Sequence, residues 1–293
     1  MNSKVLVVFF SIVITQLSCA NVNKDSVEVS CDIKKLDGYE ISDMNGYLLN
    51  DLLKCGRSEE AFDLINKHVN NFTVQDYAVT GDVLLTNNYI DESKKFLDIA
   101  AGNNDGEAQQ RLGVIYSYVL KYKDLNKAIY YLKESLGNDY TYSNVTLADI
   151  YVEENSIKDL NLAMKYSQDA IKSGYKEANY YLFKIYAEEK KYDIAKDKLN
   201  LLKTDGYIDY YELGLSELYS SYKDYEGYNP EKAKKILDGL VLSSSDTQRY
   251  RWLADFYMED HEFYNKTKAH NYYEKAYSQG DWISEQILSK WNK

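Results

Sequence analysis

The chain has 293 residues with 45% hydrophobic content, a single proline and 14 glycines, which allows a sizeable core and long uninterrupted helices. Its formal net charge is −11 at pH 7, from 35 basic and 46 acidic residues. Nucleic-acid backbones and anionic membrane surfaces require clustered Lys and Arg, so this balance argues against both as main partners. The charge fits neutral or basic partners, or it simply keeps the protein in solution. The composition predicts an all-α protein.

The first 20 residues have the features of a secretory signal peptide. Lys4 gives a positive start, residues 5–17 form an almost unbroken apolar run of 13 positions, and small residues precede a cut after Ala20. The run is shorter than the roughly 20 residues of a spanning helix, so we expect cleavage and no membrane insertion afterwards. The predicted localisation is export, to the periplasm or outside the cell. A lipid anchor on Cys19 is the alternative, although the residues before it match a lipobox poorly.

Cleavage leaves two cysteines, Cys31 and Cys55, which are 24 positions apart. In an exported chain an even number of cysteines is most simply a disulfide. The bond would tie an N-terminal segment, residues 21–40, to the rest of the chain. A reactive thiol or a metal site is the alternative, and it has little support without nearby histidines.

A small residue recurs along the chain at steps of 32 to 38 positions. It stands four positions after each expected helix start, at Ala61, Ser93, Ala128, Ala163, Ala195, Ala233 and Ala269. Repeats of this length are typical of arrays of helical hairpins. The pattern predicts seven units of two helices each.

First helices of these units carry a Leu-small-x-x-Tyr group, which is clearest at residues 112–116. Copies begin at Leu147, Leu215 and Leu253. Leucine and tyrosine four positions apart lie on one helical face, and the small residue lets the partner helix approach closely. In the copy that begins at Leu182 the small position holds phenylalanine, so we expect that unit to be locally splayed.

The second helices begin with side chains that can accept hydrogen bonds from free backbone N–H groups, namely Asp124, Asp159, Asn229 and Asn265. The single proline, Pro230, falls at a first helical position, where its missing N–H has no effect. Glycines mark the expected helix exits at positions 137, 174, 206 and 280. Caps, apolar stripes and stops all predict helical hairpins.

The order Leu-Gly-x-x-Tyr, short loop, Asp-x-x-Lys-Ala-x-x-Tyr-Tyr-x-Lys-Ala-x-x-x-Gly resembles the Sel-one-like repeat (SLR), a branch of the tetratricopeptide superfamily. Residues 127–133 and 268–280 match best, and the resemblance covers residues 107–282 well and 41–102 weakly. Tyrosine replaces the family's frequent tryptophan, and the glycines of its usual inter-helix loop are mostly absent. Units around Ala61 and Ala195 have shorter loops, closer to plain tetratricopeptide spacing.

This resemblance implies an all-α fold, an α-α superhelix (solenoid) of about seven helical hairpins over residues 41–293. The stretch 283–291 reads as a short C-terminal capping helix, since terminal units of such arrays need polar outer faces. No proline-rich or glycine-rich linker interrupts the array, so we expect one domain after the N-terminal segment.

Residues with obvious chemistry are scarce. His68, His261 and His270 are the only histidines, and their spacing does not suit helical metal ligands. Acidic pairs such as Glu153-Glu154 fall at ends of first helices, where solvated loops are the expected environment. There is no Gly-rich phosphate loop and no nucleophile elbow. We therefore predict no enzymatic activity, no cofactor and no metal.

The resemblance also implies where a partner would bind, because first helices line the concave face of such arrays. Carrying the tetratricopeptide positions over to this chain nominates Gln110, Val114, Tyr142, Asp149, Tyr180, Lys184, Tyr210, Glu217, Arg251 and Asp255. The mixture of aromatic and carboxylate groups suits an extended peptide or a basic segment, with tyrosines as anchors. The alternative is that these are ordinary exposed helix positions.

The leading hypothesis is a non-enzymatic protein–protein interaction scaffold or adaptor of the periplasm or cell envelope, binding a protein or peptide on its concave face. The alternative is an envelope-polymer (peptidoglycan or exopolysaccharide) binding or assembly factor, in which tyrosine rings stack on sugars. The third class, an enzyme, lacks a nucleophile–base pair in this sequence.

The predicted disulfide can be tested directly on the mature protein. With Cys31 and Cys55 bonded, a thiol reagent should label neither cysteine before reduction and both after it, as read by mass spectrometry. The closed loop should stabilise the fold by about 3 kcal/mol. Detection of two free thiols in the native protein would contradict the pairing.

Overall fold

The computed structural model describes residues 46–243 and 247–291, and all regular secondary structure in these ranges is helical. The α-helices, in chain order, are α1 Gly46–Lys54, α2 Ser58–His68, α3 Val74–Thr86, α4 Ile90–Gly102, α5 Gly106–Tyr118, α6 Leu125–Gly137, α7 Ser143–Glu153, α8 Leu160–Lys172, α9 Asn179–Glu188, α10 Tyr192–Thr204, α11 Ile208–Ser220, α12 Pro230–Ser243, α13 Thr247–Met258, α14 Lys266–Ser278 and α15 Trp282–Ser289. They pair in chain order into seven hairpins and one further helix, which confirms the predicted all-α fold of consecutive helical hairpins.

Two compact units can be distinguished by their internal contacts. Among the described residues, the N-terminal unit comprises 46–117 and 122–140, and the C-terminal unit comprises 118–121 together with everything from Thr141 onward. The predicted signal peptide, the N-terminal segment at 21–40, the acylation alternative at Cys19 and the disulfide partner Cys31 all lie outside the described residues. Those assignments stay predictions.

Each second helix places the recurring small residue at its fourth position, where it has no solvent exposure. This holds in both units, for Ala61, Ser93, Ala128, Ala163, Ala195, Ala233 and Ala269. In the N-terminal unit the Ser93 hydroxyl also donates a hydrogen bond of 2.6 Å to the carbonyl of Gly81 on the facing helix α3. The repeat found in the sequence is thus a packing position.

The predicted N-caps are confirmed. Asp124 accepts from the Lys127 N–H at 3.1 Å, and Asp159 accepts from the Leu162 N–H at 3.0 Å. Asn229 and Asn265 make the same bond, at 2.9 Å, to the N–H groups three positions later. In α6, α8, α12 and α14 the fourth-residue contact and the cap together determine where the second helix begins.

The exits of the second helices match the expectation with one exception. Gly174, Gly206 and Gly280 have positive φ angles of 98°, 88° and 99°, the left-handed conformation that closes a helix. Gly137 is instead the last residue of α6, and the left-handed residue is Asp139, with φ of 63°. Aspartate tolerates this conformation because its short polar side chain bonds locally.

The small position in the first helices allows close contact with the second helices. In the N-terminal unit a Cβ at Gly113 would lie 2.6 Å from Cγ of Leu132, and a Cβ at Gly81 would lie 2.6 Å from Cγ of Leu97. Both distances are far below van der Waals contact, so these backbones touch leucine directly. In both of these hairpins the leucine stands four residues after the buried small residue, Ser93 or Ala128.

Phe183 fills the small position of α9, and the C-terminal unit makes room for its larger side chain at Gly214. Its side chain is fully buried, and Gly214 of α11 lies where a Cβ would come within 3.3 Å of its ring. The same Cβ would lie 2.4 Å from Cδ2 of Leu199. The extra volume on α9 is therefore accommodated by a missing side chain on the next first helix.

Tyrosines of the repeat pack in parallel pairs at the loop end of the hairpins. Tyr116 stacks on Tyr131 with ring centroids 5.6 Å apart, and Tyr257 stacks on Tyr272 at 5.8 Å. A lysine directly before the buried alanine covers the first ring of each pair, with Nζ of Lys268 5.2 Å from the Tyr257 centroid. Tyr116 and Tyr257 are buried, and Tyr131 and Tyr272 are partly exposed, so the pairs serve packing first.

Helix α15 covers the end of the C-terminal unit, as predicted for a capping helix. It packs on α14, and its first residues, Trp282 and Ile283, are buried. Asp281 caps it by accepting from the Ser284 N–H at 3.0 Å. Across the same unit, the Leu120 N–H donates to Oε1 of Gln286 at 2.5 Å. Within the described ranges, the helices are all too short or too polar to cross a bilayer.

The close helix contact yields a matched pair of substitutions. Gly113→Ala should destabilise the protein by about 1–3 kcal/mol, because the new methyl group overlaps Leu132. Gly239→Ala in α12, where a Cβ meets nothing within 4 Å, should stabilise by up to about 1 kcal/mol through helix propensity. Thermal unfolding followed by circular dichroism measures both changes. Equal shifts in the same direction would show that the contact at Gly113 does not control packing.

Candidate functional site

The ten residues nominated for partner binding all lie at buried positions, with at most 9% of their surface exposed. The sequence analysis placed them on an open concave face, where they would be exposed. They are buried instead, because first helices also pack on one another. Gln110 and Val114 belong to α5 in the N-terminal unit. The other eight belong to the C-terminal unit, where contacts join Tyr180, Lys184, Tyr210 and Glu217. Their role in binding a partner stays a prediction.

Four of these residues occupy one repeat position, the slot after the small residue, in four successive first helices of the C-terminal unit. They are Asp149 of α7, Lys184 of α9, Glu217 of α11 and Asp255 of α13. We call them the polar row. Equal register in stacked hairpins places equivalent side chains on the same side of the array. The repeat alignment alone therefore identified a real structural feature.

Lys184 is the central cation of the polar row. Its Nζ contacts Oε1 of Glu153 on α7, lies 3.8 Å from Oε2 of Glu217 on α11, and lies 5.6 Å from the ring centroid of Tyr180. Burial disfavours the ammonium charge, but Glu153 and Glu217 outweigh it and raise the pKa of Lys184. This lysine therefore stays charged and joins three first helices.

Each carboxylate of the polar row accepts a hydrogen bond from a buried tyrosine. Tyr118 donates to Asp149, Tyr180 to Glu217 and Tyr273 to Asp255. Burial raises the pKa of all three tyrosines well above its ordinary value, and the carboxylates beside them raise it further. The phenols therefore remain neutral donors at any physiological pH.

The other nominated residues extend this environment. Tyr142 packs edge-on against Tyr175 with centroids 5.0 Å apart, and Tyr210 packs edge-on against Tyr180 at 5.9 Å. Arg251 is 1% exposed, and its Nε lies 3.1 Å from Oδ2 of Asp281, the N-cap of α15. The capping helix is thus attached to the same set of charged residues.

Asp255 and Glu259 hold protons more tightly than ordinary carboxyls. Burial raises the pKa of Asp255 to about 7, although Arg251 and Tyr273 oppose the shift. Desolvation raises the pKa of Glu259 to about 8, although hydrogen bonds from Ser220 and Ser221 oppose the shift. Ser221 Oγ donates to Glu259 at 3.0 Å. Near neutral pH both groups are therefore partly protonated.

Several important residues escaped the sequence analysis. The pair Glu153-Glu154 was expected in a solvated loop, yet Glu154 is buried and the Glu153 side chain is only 11% exposed. Glu153 and Glu259 each follow a residue of the polar row by four positions, one helical turn. That spacing was the available signal. Among the described residues, no group of three or more His, Cys, Asp or Glu side chains is arranged to hold a metal ion.

These features define a helical-repeat protein built from αα-hairpins. No protein-family model and no curated protein matches the sequence. Solved structures similar to it include a Sel1 repeat protein from Oxalobacter formigenes, with 18% identity over 80% of this chain and 99% of that one, at a TM-score of 0.48.

Two further solved structures carry the same type of repeat. The protective antigen c5321 of uropathogenic Escherichia coli, which has an SLR fold, shares 17% identity over 83% of this chain and 55% of its own, at a TM-score of 0.44. A sel1 repeat protein from Klebsiella pneumoniae shares 15% identity over 75% of this chain and 93% of its own, at 0.38. All three carry the repeat that the sequence resembles.

The raised pKa of Asp255 gives a pH-dependent prediction. As pH rises from about 4 to about 7 the unfolded carboxyl ionises while the folded one keeps its proton, so the wild type loses stability in this window. The asparagine side chain of Asp255→Asn stays neutral and still accepts a hydrogen bond from Tyr273. The free energy of unfolding of this variant, relative to wild type, should therefore increase through the window and level off above it. Between pH 4 and pH 8 this relative stability should change by up to about 4 kcal/mol.

The measurement is unfolding of both proteins by urea at several pH values. Asp193→Asn is the matched control, since the Asp193 side chain is 97% exposed and its substitution should give no growing advantage. A pH-independent difference for Asp255→Asn would show that Asp255 ionises normally in the folded protein.

Proposed function

We propose that this protein is a non-enzymatic interaction scaffold or adaptor, exported to the periplasm or cell envelope, which binds a protein partner along the first helices of its C-terminal unit. The hairpin array itself supports the scaffold role. The proposed site is the polar row with its tyrosines and Arg251. The exported location rests on the leader sequence of the first 20 residues.

One observation carries the choice of site. Val114 of α5 occupies the repeat position of the polar row, and it is 1% exposed. The fold therefore accepts an apolar residue at this buried position. Charged groups in the same slot of α7, α9, α11 and α13 are not required for hairpin packing, and buried ion pairs are often no more stabilising than apolar residues. Local departures from such packing rules are typical of functional sites.

The spacing of the polar row suits an extended chain. Packed helices lie about 8–10 Å apart, so successive hairpins present equivalent groups at a regular interval. An extended peptide advances about 3.3 Å per residue, so every third or so side chain would meet a new first helix. Tyrosines between these charges supply rigid contact area at low entropic cost.

Envelope-polymer binding is the second candidate, and a different surface supports it. Tyr130 on α6 is 57% exposed in the N-terminal unit, and Tyr277 on α14 is 45% exposed in the C-terminal unit. Exposed aromatic rings of this kind offer faces on which sugar rings can stack. These tyrosines lie on second helices, so the two candidate functions involve different residues.

A cross-linking pull-down from the native envelope fraction tests the proposal. Tagged wild type should recover a specific protein, and Asp255→Val, which introduces the residue type found in α5, should recover it about tenfold less well. Asp193→Val is the matched control on an exposed aspartate and should behave as wild type. Recovery of glycan with no specific protein would overturn the proposal in favour of polymer binding.

A further inference from the structure

Carboxyl groups outnumber cations at the α11–α13 end of the polar row. Glu217 of α11 and Asp255 of α13 are 5% and 4% exposed, and Glu259 follows directly after α13. Glu217 raises the pKa of Asp255, and Glu217 and Asp255 both raise the pKa of Glu259, so the three carboxyls belong to one electrostatic group. We call Glu217, Asp255 and Glu259 the carboxyl cluster.

The cations Lys184 and Arg251 face the cluster, and each also serves a carboxylate outside it. Lys184 contacts Glu153 and approaches Glu217 only to 3.8 Å, and Arg251 pairs with Asp281 at 3.1 Å. Asp255 accepts from a tyrosine hydroxyl and Glu259 from serine hydroxyls, which are neutral donors. The cluster is therefore deficient in positive charge, and a buried carboxylate is stabilised by a paired cation.

A second and independent observation lies on the same face of α13. Trp252 is 7% exposed, and its indole N–H makes no hydrogen bond to the part of the chain that the structure describes. It precedes Asp255 by three positions, so both side chains leave the helix on one face. A buried donor without an acceptor is unfavourable, and an incoming carbonyl oxygen would remove that penalty.

The Trp252 indole N–H and the carboxyl cluster together suit a ligand with a carbonyl oxygen and a positive charge. Trp252, Asp255 and Glu259 fall at intervals of three and four residues, which form one stripe along α13. Three helical residues span about 4.5 Å, between one and two residues of an extended peptide. A segment lying along the stripe can therefore offer a carbonyl at Trp252 and a basic side chain at Asp255. Glu259 is only partly buried, so the stripe opens at that end.

We propose that the carboxyl cluster receives a lysine or arginine side chain from an extended segment of the partner protein, with a main-chain carbonyl of that segment accepting from the Trp252 indole N–H. This inference rests on the proposed scaffold function and specifies its partner as a basic peptide segment. The ammonium or guanidinium group supplies the charge that the cluster lacks, and the donor on Trp252 fixes the direction of the segment.

Cation binding should release protons from the cluster, because Asp255 and Glu259 have raised pKa values of about 7 and about 8. Affinity for a basic peptide should therefore rise between about pH 6 and pH 9. The other charged or titratable groups that face the cluster are Glu153 on α7, Lys184 and Tyr180 on α9, Tyr222 after α11, Arg251 on α13, Tyr273 on α14 and Asp281 before α15. Burial raises the pKa of Tyr222 and of Tyr273, so these phenols do not ionise in this range.

The test uses fluorescent decalysine as a probe, with anisotropy measured on the full-length mature protein at pH 6 and pH 8. The triple variant Glu217→Gln, Asp255→Asn, Glu259→Gln should bind at least about tenfold more weakly than wild type at pH 8. The control triple Asp193→Asn, Glu231→Gln, Glu274→Gln removes the same charge from side chains that are 97%, 63% and 60% exposed, and should weaken binding less than about threefold. Wild-type affinity should be higher at pH 8 than at pH 6.

Thermal unfolding establishes that both triple variants are folded, and the cluster variant should be at least as stable as wild type at pH 8. Equal weakening by the two triples would show non-specific attraction to an acidic protein and overturn the inference. A pull-down in which the cluster variant still recovers the wild-type partner would also overturn it, while leaving the scaffold function intact. Failure of wild type to recover any protein would count against the scaffold function, whatever decalysine does.

Discussion

Every hairpin depends on one contact, the close approach of its two helices at a small residue. The fourth residue of each second helix has no solvent exposure in either unit, and Gly81 and Gly113 leave no space for a methyl group beside the facing leucine. At this distance the backbones themselves form the interface, so the register of the two helices has little freedom. The tyrosine pairs at the loop end and the caps of the second helices follow from that register.

The sequence predicted the features that arise within a hairpin. Caps such as Asp159, the buried alanines and the left-handed exit at Gly280 depend on neighbouring positions, and local pattern is sufficient to identify them. Gly137 was misassigned because the left-handed exit can be occupied by a short polar residue, here Asp139, as well as by glycine. Helix exits at residues other than glycine are missed when glycine alone is used to predict them.

The sequence did not predict features that arise between hairpins. The polar row was placed in the right register, but its burial was missed because the periodicity of a helix shows which face is special and not what covers it. Glu153 shows the same difficulty, since it looked solvated at a helix end and is held by Lys184 of the next first helix. The exchange of volume between Phe183 and Gly214 also joins two hairpins, and neither residue alone indicates it.

The two units treat buried charge differently, and this contrast supports a functional reading of the C-terminal one. In the N-terminal unit, Arg111 is bonded to Asp82 at 2.5 Å and to Glu107 at 3.1 Å, so each of these carboxylates has a direct cation partner, even though burial raises the pKa of both. In the C-terminal unit Lys184 and Arg251 serve a larger set of carboxylates, and the remaining negative charge is reduced by protons on Asp255 and Glu259. A proton is a replaceable cation. When the pH is near the pKa of its carboxyls, the cluster is partly protonated and carries little charge in the absence of a partner. It can still release those protons when a basic side chain binds. The fold therefore tolerates the site without a permanent counter-ion.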